Sequence, residues 1–196
     1  MKHKQKLKKS LSKKRRTIYI DMDGVVADFN SYVSNVIGRP IGWDQDDLTV
    51  EEWDSLTKIP NFYRHLPLIE ESVRMVGLCK SFSSRVNVEF LTAIPRQTTM
   101  PTAKQDKIDW IGQHFPITAV NFGPFSKDKQ YWARPGDILI DDKPSNIQEW
   151  GAAGGIPVYH FGNFDNTIKL ILYAMDEIPE PQLDLDFMDP LTMRVS

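Results

Sequence analysis

The sequence predicts an α/β fold: a three-layer αβα sandwich with a central parallel sheet and a small helical cap inserted after the first strand and helix. The first observation is that short β-branched and apolar runs alternate with segments of helical period, which is typical of a parallel sheet covered on both faces. The second is length, because 196 residues allow one ordinary core and a small insert. The third is composition: 41% hydrophobic and 26% charged residues indicate folding by burial of apolar surface.

The order of elements along the chain supports this prediction. Strands are predicted at 17–20, 86–91, 119–122, 137–140 and 156–160, and helical segments from Val25 onward and at 72–81, 104–114 and 147–153. Residues 92–102, rich in Thr and Pro, are predicted to form a loop. Thr49 is followed three residues later by Glu52, which predicts a capping box in the cap. The cap is predicted at about 33–72 of a domain that spans 17–175.

The two ends of the chain are predicted to be tails. Residues 1–16 contain nine Lys or Arg and no acid, so the remaining 15 basic residues face 26 acidic ones, a net charge of −11. Such a like-charge block cannot bury enough apolar surface to order itself. It is interpreted as a nonspecific nucleic-acid contact or as a solubilising or targeting tail; an organelle presequence is less favoured because its cations fall on all sides. Residues 176–196 are acidic and interrupted by proline, which predicts an irregular end.

Bulk features exclude several other classes of protein. Cys79 is the single cysteine, so it cannot form an internal disulfide, and the four histidines show no zinc-type spacing. No apolar run is long enough to cross a bilayer, and the N-terminus has no apolar signal core. A soluble, cytoplasmic protein is expected.

Polar residues follow four of the predicted strands. Because the carboxyl ends of parallel strands meet at one edge of a sheet, these side chains are expected to lie together. Several carboxylates at one edge repel each other unless a cation lies among them, and an all-oxygen ligand set favours Mg2+ over zinc. The residues, in strand order, are Asp21 with Asp23, Thr92, Lys127 with Lys129, and Asp141 with Asp142.

Each acidic motif also has a plain structural interpretation. Asp21-Met-Asp-Gly24 alone could be a turn, and Asp141-Asp142-Lys143-Pro144 alone could be a helix start with acids near the positive end of the helix dipole. The two motifs each follow an apolar strand and lie about 120 residues apart. Their joint occurrence favours a shared metal site.

The motifs resemble those of a known family. The run Asp21-Met-Asp-Gly-Val-Val-Ala-Asp-Phe29 is similar to the first motif of the haloacid dehalogenase (HAD) superfamily, in particular of its 5'(3')-deoxyribonucleotidase (5'-nucleotidase C type) branch. Leu91-Thr92-Ala93 resembles the second motif, Asp128-Lys129 the third, and Ile138-Leu-Ile-Asp-Asp142 the fourth. The resemblance spans 17–171. It implies a HAD-like, Rossmannoid sandwich and a Mg2+-dependent phosphatase that hydrolyses nucleoside monophosphates, preferably deoxyribonucleotides, through an aspartyl-phosphate intermediate.

The resemblance also implies roles for the acidic residues. Asp21 is the expected nucleophile, since a carboxylate can attack phosphorus and divide the hydrolysis into two displacements. Asp23 is the expected general acid and base, and its backbone carbonyl is expected to bind the metal. Asp142 is expected as a direct metal ligand, with Asp141 as close support.

The phosphate group is expected to contact residues from three strands. Thr92 offers a hydroxyl with neighbouring backbone N–H groups, and Lys129 offers a point charge. Lys127 competes for that role, because the spacing from Lys129 to Asp141 slightly exceeds that of animal members. Two positions depart from the animal pattern: Ala93 replaces a serine and Lys143 an arginine. Both are still predicted to line the substrate site.

Substrate choice is expected to depend on aromatic residues. Phe29 occupies the family position that packs against a nucleobase, and Trp43 and Trp53 of the cap, with Phe62 and Tyr63, could extend an aromatic wall. Packing within the core or the cap is the plainer interpretation of most of the cap aromatics.

Three further hypotheses stay open. A phosphorylated nucleic-acid end could be the substrate, with the basic segment binding the strand. A noncatalytic nucleic-acid-binding protein would use the basic segment alone. A homodimer is a further partner prediction.

Overall fold

The structure, a computed structural model, describes residues 15–42, 48–96, 98–116, 118–123 and 125–183. Its centre is a sheet in which every pairing is parallel. The strand order is β3-β2-β1-β4-β5, which confirms the predicted fold class. The strands are β1 (Thr17–Ile20), β2 (Asn87–Ala93), β3 (Ala119–Gly123), β4 (Ile138–Asp141) and β5 (Ile156–Tyr159).

Helices cover both faces of the sheet. From β1 the chain proceeds through β2 to β3 on one side, then returns to place β4 and β5 on the other side. Right-handed crossovers in these two directions put helices on opposite faces. The helices are α1 (Phe29–Ile37), α2 (Val50–Thr57), α3 (Glu70–Ser81), α4 (Ala103–His114), α5 (Pro144–Ala152) and α6 (Phe164–Ala174), with 3-10 turns at Phe62–His65 and Ser126–Trp132.

Alternate residues of β1 fill two separate cores. Ile18 and Ile20 belong to the larger core, which also contains buried side chains of α3, α4 and α6. Tyr19 points to the opposite face, where its ring packs edge-on against Trp150 of α5 with centroids 5.6 Å apart. All four residues of β1 are buried, so the strand is covered on both faces and does not alternate between buried and exposed positions.

Three element boundaries differ from the prediction. The first helix begins at Phe29 rather than near Val25, because Asp28 caps it by accepting a hydrogen bond from Ser31 N (3.0 Å). Residues 92 and 93 are the end of β2 rather than the start of a loop, since they pair with Phe122 and Gly123. Helix α5 begins at Pro144, a residue whose fixed φ suits the first helical turn.

The insert between α1 and α3 contains α2 and the first 3-10 turn. The predicted capping box of α2 is confirmed: Thr49 Oγ1 accepts from Glu52 N (3.2 Å), and the Glu52 carboxylate accepts from Thr49 N (2.8 Å). Trp43 lies outside the described residues, as do most of the predicted basic tail and the end of the acidic tail. None of the helices described is long and apolar enough to span a membrane.

Candidate active site

Asp21 lies at the carboxyl end of β1, the middle strand of the sheet. Its backbone N–H donates to Ile140 O of the neighbouring strand β4 (2.9 Å), which holds the residue at the sheet edge. Its Oδ1 accepts from the N–H of Met22 (2.7 Å). The side chain is buried, with 7% of the residue exposed. The second oxygen, Oδ2, contacts Lys129, which follows β3 (2.7 Å).

The two acidic motifs meet at this edge of the sheet. One carboxylate oxygen from each of Asp21, Asp141 and Asp142 lies within 4.8 Å of the other two. This follows from strand order, because β1 and β4 are neighbours and each ends at its motif. The group consists of hard oxygen donors only, which fits a magnesium-like cation.

Gly24 allows the two motifs to approach each other. Its φ is +75°, in the left-handed region that favours glycine. A Cβ atom at this position would lie 1.9 Å from Asp142 Oδ2, so any side chain would displace that carboxylate. The glycine of the first motif is therefore required by packing against the last motif.

Lys129 lies between Asp21 and Asp141. Its Nζ is 2.7 Å from Asp21 Oδ2 and 2.6 Å from Asp141 Oδ2, and the residue is 1% exposed. Burial alone lowers the pKa of the ammonium, but the two carboxylates outweigh it and the pKa lies above its ordinary value. Lys127 is placed elsewhere, on an open cavity of about 510 Å³ that Arg96, Phe125 and Lys143 also line.

Asp141 is held by donors from the protein itself. The Asn146 amide donates to both of its carboxylate oxygens (2.9 and 3.0 Å), and Lys143 N donates to Oδ1 (2.9 Å). Asn146 is fixed in turn by Ser126 Oγ, which lies 2.9 Å from its Oδ1. Asp141 is therefore oriented by its neighbours, which suits a supporting role beside a cation.

The electrostatics of the acidic group also favour a cation. Burial raises the pKa of Asp142 well above its ordinary value, and the carboxylates of Asp141 and Asp21 raise it further. Burial likewise raises the pKa of Asp141, although Lys129 opposes this shift. A divalent cation among these oxygens would favour their ionised forms, so the residues present fit the metal that the sequence predicts.

The Asp23 side chain lies outside this acidic group and contacts a lysine that the sequence reasoning missed. Its Oδ2 is 2.6 Å from Nζ of Lys107 in α4. The same ammonium donates to Thr92 Oγ1 (2.9 Å) and Ala93 O (2.8 Å) at the end of β2. Burial raises the pKa of Asp23 while Lys107 opposes the shift. The predicted metal contact of Asp23 uses its backbone carbonyl and stays a prediction.

One signal for Lys107 was present in the sequence. The buried residues of α4 follow a helical stripe that includes Ala103, Trp110 and Ile111, and Lys107 falls on this stripe. A lysine on the buried stripe of a helix requires an ionic partner, because an unpaired charge is costly to bury. The identity of the partner, 84 residues earlier, depends on the tertiary structure.

The predicted aromatic residues partly come together. Phe29 is 1% exposed, and its ring centroid lies 5.9 Å from Phe62 and 6.2 Å from Trp53 of the insert. Tyr63 follows Phe62 and packs edge-on against it (5.0 Å). In this arrangement Phe29 packs against the insert, and its predicted contact with a nucleobase stays a prediction.

Haloacid dehalogenase superfamily phosphatases are the class that this parallel sheet and its edge of carboxylates define. Within that class, the model of a family described as "5' nucleotidase, deoxy (Pyrimidine), cytosolic type C protein" matches residues 15–167, more than half of the chain. The chain belongs to this family and is a phosphoric monoester hydrolase of the 5'-nucleotidase type. No curated protein matches the chain.

Proposed function

We propose that the protein is a Mg2+-dependent phosphatase that hydrolyses nucleoside monophosphates, preferably deoxyribonucleotides, to nucleoside and phosphate through an aspartyl-phosphate on Asp21. The observation that carries the proposal is the meeting of Asp21, Asp141 and Asp142 within 4.8 Å, beside the buried ammonium of Lys129. This arrangement supports both metal binding and the stabilisation of a transferring phosphoryl group.

In the first step, an oxygen of Asp21 attacks phosphorus, and the bond between phosphorus and the nucleoside oxygen breaks. Asp23, two residues later on the same loop, gives its proton to the departing alkoxide. In the second step, a water molecule attacks the phosphorus of the aspartyl-phosphate while Asp23 takes a proton from that water. Phosphate leaves, and Asp21 returns to its free carboxylate.

The metal would be held by Asp21 and Asp142, with the Asp23 carbonyl and with Asp141 in support. When bound, Mg2+ supplies positive charge that offsets the repulsion between the anionic nucleophile and the anionic phosphate. Lys129 adds a fixed positive charge, and its two short ion pairs keep it protonated through the reaction. Asn146 and Lys143 N keep Asp141 in place.

Phosphate binding involves Thr92, Ala93 and Lys143 in addition to Lys129. Thr92 and Ala93 end β2, next to the strand that delivers Asp21, so their hydroxyl and backbone groups suit the phosphate oxygens. Lys143 precedes α5, and its side chain lines the cavity beside Lys127. Ala93 takes the position of a serine in animal members, and Lys143 that of an arginine. In this protein the phosphate is therefore bound by a lysine and by backbone groups instead.

The nucleoside is assigned to the aromatic residues where the insert meets the core. Phe29 and Trp53 lie together, and Phe62 joins them. A planar base suits such a wall of rings. The family description names deoxy and pyrimidine, which supports a preference for pyrimidine deoxyribonucleotides. Trp43 belongs to the same proposal, and the insert between α1 and α3 serves as the cap.

The remaining predictions concern location and partners. The word cytosolic in the family description supports a cytoplasmic location. Neither the family match nor the described residues support a homodimer or a nucleic-acid contact through residues 1–16, of which 1–14 lie outside the description. Deletion of residues 1–14 is therefore expected to leave hydrolysis of mononucleotides unchanged.

A substrate panel tests the proposal. Purified protein is assayed for phosphate release from deoxyribonucleoside and ribonucleoside 5'- and 3'-monophosphates and from sugar phosphates, with Mg2+ and with EDTA. Asp21→Asn is expected to reduce turnover by at least about 1,000-fold, since the nucleophile is lost, while the fold survives. Faster turnover of sugar phosphates would overturn the nucleotide assignment. Undiminished activity of Asp21→Asn would overturn the mechanism.

A further inference from the structure

We infer that Lys107 is a positioning residue that orients the Asp23 carboxylate for the two proton transfers of the reaction and the Thr92 hydroxyl for a hydrogen bond to the phosphate. The inference rests on the proposed function and extends it to α4, a helix that carries none of the sequence motifs. The ammonium of Lys107 contacts one group from the first motif and two from the second: Asp23 Oδ2 at 2.6 Å, Thr92 Oγ1 at 2.9 Å and Ala93 O at 2.8 Å.

These contacts use the full donor capacity of the lysine. A lysine ammonium has three N–H donors, and each has an acceptor at hydrogen-bonding distance. The residue is 1% exposed, so no rotamer with its charge in water is within easy reach. A cation with one acceptor in the loop after β1 and two at the end of β2 fixes their relative positions.

The two carboxylate oxygens of Asp23 have different environments. Lys107 binds Oδ2, whereas Oδ1 is buried and has no hydrogen-bond partner among the described residues. A buried oxygen without a partner is costly unless a ligand supplies one. Oδ1 is therefore the oxygen assigned to exchange protons with the leaving alcohol and with water once substrate binding opens the space beside it, and Lys107 keeps the carboxylate from rotating it away.

Thr92 is oriented by the same ammonium. Because its Oγ1 accepts a hydrogen bond from Lys107, the hydroxyl proton must point to another acceptor. Among the described residues the hydroxyl donates to Ala93 O at 3.3 Å, a long contact for a hydroxyl. A phosphate oxygen would be a better acceptor, so Lys107 prepares Thr92 as a donor to the substrate.

Tyr63 of the insert covers the lysine. The ammonium lies 4.4 Å from the centroid of the Tyr63 ring, and that residue is 3% exposed. A cation over an aromatic face is attracted electrostatically, and the ring also keeps water from the ion pair. The insert therefore contributes a side chain to the environment of the Lys107–Asp23 ion pair.

A purely structural lysine and a positioning lysine predict different kinetics. Loss of a structural lysine lowers stability and lowers activity on all substrates to the same extent. For a lysine that acts through Asp23, the fall in activity depends on the leaving group of the substrate. A nucleoside alkoxide requires a proton to leave, whereas a nitrophenolate does not. The value of kcat/KM reports the first displacement only, in which this difference arises.

The experiment compares Lys107→Met with the wild type on a nucleoside monophosphate and on 4-nitrophenyl phosphate, both with Mg2+. The kcat/KM for the nucleotide is expected to fall by about 100-fold through the loss of proton transfer, whereas that for the aryl ester, which is affected through Thr92 only, is expected to fall by no more than about threefold. Lys104→Met, a change to another lysine of the same helix, is the matched control and is expected to retain both values. Equal losses on the two substrates would overturn the inference.

A double-mutant cycle gives an independent test should Lys107→Met leave Asp23 buried without a partner and fail to fold. Asp23→Asn with Lys107→Met removes both charges, so the pair is neutral and burial is tolerated. The double variant is expected to stay within about threefold of Asp23→Asn alone in nucleotide kcat/KM, since the lysine affects proton transfer only through the carboxylate and the remainder is due to Thr92. A further loss of 10-fold or more would overturn the inference. A wild type that hydrolyses neither ester would overturn the proposed function instead, and this inference with it.

Discussion

Gly24 is the residue on which the contact between the two acidic motifs depends. In Gly24→Ala the new Cβ atom would lie 1.9 Å from Asp142 Oδ2, at a φ of +75° that alanine disfavours. Because Asp142 must move, we expect weaker Mg2+ binding and a fall in kcat/KM of at least about 100-fold. Magnesium titration of activity, with calorimetric measurement of Mg2+ binding, checks both effects.

Gly38 provides a matched control for backbone strain. It has nearly the same φ, +76°, but a Cβ atom there would lie within 4 Å of no atom of the described residues, those adjacent in the chain and the backbone of its own helix aside. Gly38→Ala is therefore expected to cost about 1 kcal/mol of stability with activity retained. If both alanine variants lost activity to the same degree, strain rather than the contact with Asp142 would explain the effect.

Individual residues of the site were predictable to different degrees. Asp21, Asp141 and Asp142 could be placed together because each follows a recognisable buried strand, and strand ends share one edge. The choice between Lys127 and Lys129 could not be made from spacing, since it depends on the turn after β3 that directs Lys129 towards Asp21. The partner of Lys107 could not be predicted for a similar reason, because it depends on how α4 packs.

At the scale of elements, the 3-10 turn of the insert is attached to α4 by charged groups. Arg64 Nε is 2.8 Å from Asp106 Oδ1, and its Nη2 is 2.5 Å from Asp109 Oδ2. Asp106 is fully buried, and its Oδ2 has no hydrogen-bond partner among the residues described. Trp110 adds a hydrogen bond from its indole N–H to Leu66 O (2.8 Å).

Removal of Arg64 should therefore be more damaging than its partial exposure indicates. In Arg64→Met the carboxylate of Asp106 would be buried without a cation, and we expect a loss of about 3 kcal/mol in the free energy of unfolding. Urea denaturation at neutral pH measures the change. Arg74→Met is the control, because the Arg74–Asp165 pair is exposed on both sides and should contribute less than about 0.5 kcal/mol. Similar losses in the two variants would contradict a special role for buried Asp106.

Most elements followed from sequence patterns, and the exceptions have local causes. The start of α1 was predicted too early because Val25 and Val26 continue an apolar pattern, yet the N–H groups of Val26 and Ala27 both bond to Met22 O in a tight turn. Helix α6 was not predicted, although Asn163 caps it by accepting from Asn166 N (3.0 Å). Capping residues were the better guide to both boundaries than apolar spacing.

At the scale of the whole molecule, strand order creates the site. The chain proceeds from β1 to β2 and β3, then crosses back to β4, so β1 and β4 are neighbours whose connections run in opposite directions. A crevice opens at the carboxyl end of such a pair. The sequence indicated parallel strands and polar residues at their ends. It did not determine which strands are adjacent, because adjacency depends on the packing of helices that the strands share.

The pH dependence of global stability should show the effect of burying His160 in its neutral form near the end of β5. Its Nδ1 is 2.8 Å from Thr167 Oγ1, and burial lowers its pKa from 6.5 to about 4. Between those two values the unfolded chain binds a proton that the folded protein excludes, so stability is complete above pH 6.5 and declines as the pH falls towards 4. We expect His160 to account for a loss of about 2 kcal/mol in the free energy of unfolding between pH 7 and pH 5.

The measurement is urea unfolding of the metal-free protein at both pH values, compared with His160→Gln, which cannot titrate. The variant should lack this part of the decline, whereas His65→Gln, a change at an exposed histidine, should retain it. An equal decline in wild type and His160→Gln would show that His160 is not buried in its neutral form.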